Sequence, residues 1–198
     1  MKIITFLLNF LGIKKSERII QIEVEKAVDA FLNRPVYEKL TEEIINNTPD
    51  DELVQVVFDN LCTKITDYTK DYETVYSFSE AQQAIYLIWC LEAEVNNGGF
   101  NQYYSNPSGQ FAELLPDALN YVRAKEFSQL VAKANKVYKD NEEEITKYQD
   151  GSLEGFSKSY ENNPLEEFDD KFYQLGEHEN LSSLQVNFIR KNKQYFIG

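Results

Sequence analysis

Histidine and cysteine are scarce in this 198-residue chain, which has one histidine, His178, and two cysteines, Cys62 and Cys90. Because the single histidine lies in the polar segment GEHEN, a histidine-based acid–base pair or a nucleophilic triad would depend on that one loop residue. The cysteines are 28 positions apart and have no second histidine beside them, so the ligand spacing of a zinc site is absent. We expect no metal ion and no cofactor.

The low cysteine count also indicates the cellular compartment in which the protein is expected. Each cysteine lies in an apolar helical pattern, which is typical of buried thiols in a reducing environment and not of a disulfide framework. We therefore predict a cytoplasmic protein. The sequence leaves open whether Cys62 and Cys90 lie close together.

Loops that bind phosphate or calcium are missing as well. Gly98 and Gly99 form too short a glycine stretch to cradle phosphate as a Walker loop does. The acidic runs NEEE and LEEFDD lack the central glycine and alternating oxygen ligands of an EF-hand loop. Glu92 and Glu94 remain as candidate acid–base residues, but residues two apart on a helix face different directions. We predict a structural, hydrogen-bonded role for one of them and expect the protein not to be an enzyme.

No apolar run is long enough to cross a bilayer. Residues 1–16 begin like a secretion signal, but Asn9 interrupts the apolar stretch and an A-x-A-like cleavage site is absent. We interpret residues 1–16 as an amphipathic lead-in that docks on the domain. Peripheral contact of residues 1–15 with a membrane or a partner is the alternative.

Basic residues are outnumbered, with 20 Lys and Arg against 33 Asp and Glu and a net charge of -13. This balance opposes direct binding of nucleic acid, so partners should be basic or neutral. The charge is uneven, because residues 140–180 contain thirteen acidic residues against three lysines, a net charge of -10. This acidic part supplies the predicted partner-binding residues: Glu142, Glu143, Glu144, Asp150, Glu154, Glu166, Glu167, Asp169 and Asp170.

The hydrophobic periodicity is helical almost throughout, and no segment shows the sustained alternation of a half-buried strand. The sequence predicts an all-α, single-domain multi-helix bundle over residues 17–198. Its clearest helix covers residues 79–97, where Ser79 and Gln82 form a capping box and Asn97-Gly98 ends the element. Because this helix is apolar nearly all round, we predict that it is central, with Trp89 and Cys90 substantially buried.

The segment EVNNGGFNQYYSNPSG, residues 94–109, follows that helix directly. Glycines let the backbone reverse, and amide side chains satisfy backbone groups that a sharp corner leaves unpaired. We predict a positive φ at Gly98 or Gly99, together with internal hydrogen bonds from Glu94, Asn97 and Gln102.

With its flanking helices, this segment resembles the bacterial DNA-mimic-protein-like family, and the similarity covers residues 78–138. Family members have a helix that ends in E-V-x-N-G-G-F-x-Q-[FY]-[FY]-x-N. The matching residues here are Glu94, Val95, Asn97, Gly98, Gly99, Phe100, Gln102, Tyr103, Tyr104 and Asn106. Since the motif contains one carboxylate, we interpret it as a structural signature of the fold.

The resemblance implies an acidic, non-enzymatic helical protein that presents carboxylates in place of DNA phosphates to a basic DNA-binding protein, such as a transcription regulator. An immunity or antitoxin-like protein that neutralises a toxin is the alternative. A solvated face that maintains solubility is the simpler interpretation of the acidic run at residues 140–180. The sequence leaves open whether the protein forms a homodimer.

Overall fold

The computed structural model describes residues 17–67, 70–148, 152–161 and 163–198. These residues form helices joined by turns, and none of them belongs to a β-strand. The all-α prediction is therefore confirmed. The predicted lead-in at residues 1–16 lies outside the described residues.

The chain divides into two compact units between Val36 and Tyr37. The described part of the first unit contains helix α1, Glu17–Leu32. The second unit contains the remaining helices. They are α2 Glu42–Asn47, α3 Asp50–Cys62, α4 Asp71–Ser77, α5 Glu80–Ser105, α6 Leu115–Tyr121, α7 Lys125–Asp140, α8 Glu142–Thr146, α9 Leu153–Lys158, α10 Glu166–Gly176 and α11 Leu181–Lys191, with 3₁₀ turns at Pro107–Phe111 and Lys193–Tyr195.

Helix α5 is the centre of the second unit and contacts α3, α4, α6 and α10. Apolar residues at helical spacing are buried along the first segment of α5; they are Ala81, Ala84, Ile85, Ile88, Leu91 and Val95. Burial of these side chains supplies the main driving force for the fold. The prediction of a central helix in this region is confirmed.

Trp89 and Cys90 pack against the core, as the sequence predicted, and each keeps a smaller part of its surface accessible. The indole of Trp89 stacks on Phe58 of α3 with 3.6 Å between the ring centroids. Its Nε1 donates to Gln55 Oε1 at 3.2 Å. A tryptophan that packs on one ring and satisfies its N–H at a polar edge remains partly accessible.

The start of α5 is fixed by the capping box that the sequence predicted. Gln82 N donates to Ser79 Oγ at 3.3 Å, and Ser79 N donates to Gln82 Oε1 at 3.1 Å. These bonds satisfy two amides that a helix N-terminus would otherwise leave unpaired.

Helix α10 packs against both α5 and α7 and therefore connects the acidic part of the chain to the central helix. Its buried side contains Phe168 and Phe172. Phe172 lies 5.0 Å from Phe127 of α7 and 6.0 Å from Phe100 of α5, measured between ring centroids. This aromatic contact fixes which face of α10 is turned to solvent.

Candidate functional site

Helix α5 contains a sharp corner at its two glycines. Gly98 has φ -157° and ψ 26°, Gly99 has φ 71° and ψ -175°, and helical structure resumes through Ser105. The positive φ predicted for one of the two glycines is confirmed at Gly99. The sequence did not predict that the chain continues as a second helical segment beyond the corner.

The Glu94 carboxylate ties the two sides of this corner together. It accepts hydrogen bonds from Gln102 Nε2 at 2.6 Å, Asn106 Nδ2 at 2.7 Å and Ser108 Oγ at 3.3 Å. Asn97 Nδ2 donates to Gln102 Oε1 at 2.9 Å and extends the same network. The predicted internal hydrogen bonds of Glu94, Asn97 and Gln102 are confirmed.

We expect Glu94→Gln to lower the free energy of unfolding by about 2 kcal/mol, because an amide N–H₂ group would then face donors that now bond to a carboxylate. Urea denaturation of the native protein and the variant measures the loss. Asp117→Asn, at an exposed acid, is the control and should leave the midpoint unchanged. Equal midpoints for all three proteins would contradict this role of Glu94.

On the other side of the corner lies Asp169, which the sequence had assigned to partner binding. Asp169 Oδ1 accepts a hydrogen bond from Phe100 N at 2.7 Å, and its carboxylate lies where a side chain on Gly99 would be. Burial raises the pKa of Asp169, and the Phe100 hydrogen bond opposes that rise. Asp169 is half-buried and supports the corner from within, so it contributes less to the exposed acidic surface than its neighbours.

Two tyrosines also hold the corner, and sequence reasoning missed both of them. Tyr160 Oη donates to Gly98 O at 2.7 Å, and Tyr173 Oη donates to Val95 O at 2.9 Å. The acceptors are carbonyls at the end of the first helical segment of α5, which have no continuous helix to bond to. Because the partners lie 62 and 78 positions apart, no local pattern signals these bonds.

The aromatic residues of the motif pack inside the protein. Phe100 and Tyr103 are almost fully buried. Tyr104 stacks on Tyr138 with 4.2 Å between centroids and donates from its hydroxyl to Asn135 Oδ1 at 2.7 Å. The motif residues therefore build the corner, as predicted for a structural signature.

The predicted partner-binding acids lie mainly on α8 and α10. Glu142, Glu143 and Glu144 are exposed in α8, whereas Glu166, Glu167 and Asp170 are exposed in α10. Glu144 and Glu161 line one groove, so α8 lies beside the segment that leads into α10. Glu154 is exposed in α9, and Asp150 lies outside the described residues.

Some of these acids are paired with lysines three or four residues later in the chain. The pairs are Glu144–Lys147, Glu154–Lys158 and Glu167–Lys171. Within the described ranges, no lysine or arginine forms an ion pair with Glu142, Glu143, Glu166 or Asp170. We call these four residues the unpaired quartet.

Glu179 belongs to the same acidic stretch but has an internal role. Its Oε2 accepts hydrogen bonds from the backbone amides of Glu126 and Phe127, each at 3.1 Å. These amides are at the start of α7, where a carboxylate is favoured by unpaired N–H groups and the helix dipole. Glu179 thus fixes the end of α10 against α7.

Glu92 of α5 accepts a hydrogen bond from Gln185 Nε2 of α11 at 2.7 Å. Burial raises the pKa of Glu92, and this hydrogen bond opposes the rise. Gln185 Oε1 is buried and accepts no hydrogen bond from the described part of the chain.

Because the folded state raises the pKa of Glu92 above its unfolded value of about 4.3, the folded state binds the proton more tightly. Glu92 should therefore make the free energy of unfolding rise as pH falls from 7.5 toward 5. We expect Glu92→Gln to reduce this rise and to stabilise the protein at pH 7.5 by about 1 kcal/mol, since a neutral amide is less costly to bury. Urea denaturation at both pH values tests this, and destabilisation by Glu92→Gln at pH 7.5 would contradict it.

Among the described residues, no three metal-binding side chains cluster in a way that could hold an ion. His178 lies just after α10, with its backbone amide bonded to Leu175 O at 2.9 Å. No described helix combines the length and apolarity that crossing a membrane requires.

Comparison with known proteins identifies the family. Residues 76–192 match the family described as DMP19-like protein. The chain belongs to this family. The DMP19-like region extends beyond the residues 78–138 that carried the sequence resemblance and includes all of α8, α9, α10 and α11. No curated protein matches the chain.

Proposed function

We propose that this DMP19-like protein is a non-enzymatic DNA mimic, which binds the DNA-contacting surface of a basic protein such as a transcription regulator. The observation that carries the proposal is the unpaired quartet, Glu142, Glu143, Glu166 and Asp170, on exposed faces of α8 and α10. Carboxylates that form no ion pair within the protein are available to pair with the cations of a partner.

The spacing of these carboxylates supports the proposal. Residues three or four apart on a helix are about 4.5 to 6 Å apart along its axis, whereas each strand of DNA has one phosphate about every 3.4 Å. Acids on two neighbouring elements together approach the charge density of a phosphate backbone. The net charge of -10 over residues 140–180 supplies the field that attracts a basic partner.

The paired acids add to this surface when a partner binds. The pairs Glu144–Lys147, Glu154–Lys158 and Glu167–Lys171 are on the protein surface, where ion pairs contribute little to stability. Basic groups of a partner therefore compete with these lysines at little cost. The lysines move aside and leave the carboxylates to the partner.

Capture from a lysate of the native host tests the proposal. The immobilised protein is exposed to lysate at low salt and washed with short duplex DNA, and the released proteins are identified by mass spectrometry. Polyglutamate is used in a parallel wash as a polyanion without the geometry of DNA. We expect at least one DNA-binding protein that duplex DNA releases more readily than polyglutamate does.

Two outcomes would contradict DNA mimicry. In the first, the captured proteins do not bind DNA. This result is expected if the protein is an immunity protein and the captured partner is the toxin that it neutralises. In the second, polyglutamate releases the captured protein as well as duplex DNA does, which would indicate binding to charge alone.

A further inference from the structure

An exposed ridge along α10 and its C-cap residue consists of three acids and one tyrosine. Glu166, Asp170, Tyr173 and Glu177 are separated by four, three and four positions, which aligns them along one face of a helix. All four side chains are exposed, whereas Phe168 and Phe172 on the opposite face are buried. We call these four residues the α10 ridge.

Tyr173 is both exposed and fixed in place. Its side chain is 50% exposed, while its hydroxyl donates to Val95 O at 2.9 Å. The ring also contacts Phe172 edge-on, with 6.1 Å between centroids. An aromatic ring whose position is already fixed loses little conformational entropy on binding, which favours it as an anchor of an interface.

Glu177 has no evident role in stabilising α10. It follows the last residue of the helix, where the helix dipole favours a positive charge and disfavours a carboxylate. Within the described ranges, neither Asp170 nor Glu177 pairs with a lysine or arginine. The structure thus has a carboxylate about one helical turn to either side of an exposed ring.

We infer that the α10 ridge binds arginine side chains of the basic partner, with a guanidinium stacked on Tyr173 and hydrogen-bonded to Asp170 or Glu177. This inference rests on the proposed function and specifies the partner chemistry of the same surface. A planar guanidinium stacks on an aromatic ring and donates several hydrogen bonds to carboxylates, whereas a lysine ammonium is a compact and strongly hydrated charge. The α10 ridge therefore distinguishes arginine from lysine. A surface of carboxylates without an aromatic ring would distinguish them poorly.

Two peptides of equal length and charge test the inference directly. One contains six arginines and the other six lysines, each alternating with glycine, and their dissociation constants are measured by fluorescence anisotropy at fixed salt. We expect the native protein to bind the arginine peptide about tenfold more tightly. Tyr173→Leu should remove this preference while leaving the affinity for the lysine peptide nearly unchanged.

Two further variants separate the ring from its surroundings. Tyr173→Phe retains the ring and loses the hydrogen bond to Val95, so most of the preference should remain. Tyr76→Leu replaces a tyrosine of similar exposure, 54%, that lies outside the α10 ridge, and it should leave both affinities unchanged. Near-UV circular dichroism verifies that each variant is folded.

Equal affinity of the native protein for the two peptides would overturn the inference, as would failure to bind either one or a preference that survives Tyr173→Leu. These outcomes are distinct from failure of DNA mimicry. Release of the captured partner by duplex DNA, combined with equal peptide affinities, would leave the mimic intact without arginine selectivity. An arginine preference without release of the captured partner by DNA would support arginine binding at the α10 ridge and contradict DNA mimicry.

Discussion

Gly99→Ala should lower the free energy of unfolding by about 3 kcal/mol. The backbone at Gly99, with φ 71° and ψ -175°, lies in a region that is nearly restricted to glycine, where another residue costs about 1 to 3 kcal/mol. A Cβ atom there would lie 2.2 Å from Asp169 Oδ2. The carboxylate would have to move and would weaken its bond to Phe100 N, at a further cost of about 1 to 3 kcal/mol.

Urea denaturation measures this loss, and Gly176→Ala provides the matched control. A Cβ atom on Gly176 meets no heavy atom within 4 Å, and its backbone does not have a positive φ. Because alanine favours a helix over glycine, Gly176→Ala should leave stability unchanged or slightly raised. The double variant Gly99→Ala/Asp169→Ala should lose less free energy of unfolding than the sum of the losses of the two single variants. The reason is that removing the Asp169 carboxylate also removes its contact with the added Cβ atom at position 99. Strict additivity would contradict contact between Gly99 and Asp169 as the cause.

Neutralising the unpaired quartet should slow association with the captured partner about tenfold or more at low salt. The variant combines Glu142→Gln, Glu143→Gln, Glu166→Gln and Asp170→Asn. Exposed charges act chiefly on the association rate, through a field that salt screens over about 8 Å at physiological ionic strength. Stopped-flow or surface plasmon resonance measurements across a salt series give the rates, and the native rate should fall more steeply with salt.

A second quartet distinguishes position from total charge. Glu38→Gln, Glu43→Gln, Glu80→Gln and Asp117→Asn also remove four exposed acids, three of them from first turns of helices. Both variants therefore change the net charge from -13 to -9. The second variant should slow association less than threefold, because its acids lie outside α8 and α10. Equal slowing by both quartets would show that net charge alone controls association.

The sequence predicted the features of the fold that depend on local chemistry. The capping box at Ser79 identified the start of α5, and the glycine pair identified its corner. Both features depend on residues that are only a few positions apart, so a local pattern is enough to predict them. The apolar period of α5 predicted its buried face correctly. Periodicity did not show that Trp89 stacks on Phe58, since that contact joins two helices.

The acidic surface was harder to predict because charge patterns do not show which carboxylates are used internally. Asp169 and Glu179 lie in the same acidic stretch as Asp170, yet each accepts a backbone hydrogen bond across a helix contact. Such bonds join residues 52 to 69 positions apart. The hydrogen bonds of Tyr160 to Gly98 and of Tyr173 to Val95 also join residues far apart in the sequence. They were missed because no local pattern signals them.

Competition between this protein and DNA for one partner tests DNA mimicry most directly. The captured DNA-binding protein is titrated onto a labelled duplex at several fixed concentrations of this protein, and anisotropy gives the apparent dissociation constant for DNA. DNA mimicry predicts a constant that rises in proportion to the concentration of this protein, without a plateau, because the two ligands exclude each other. A plateau, an unchanged constant or a ternary complex with the duplex would contradict it.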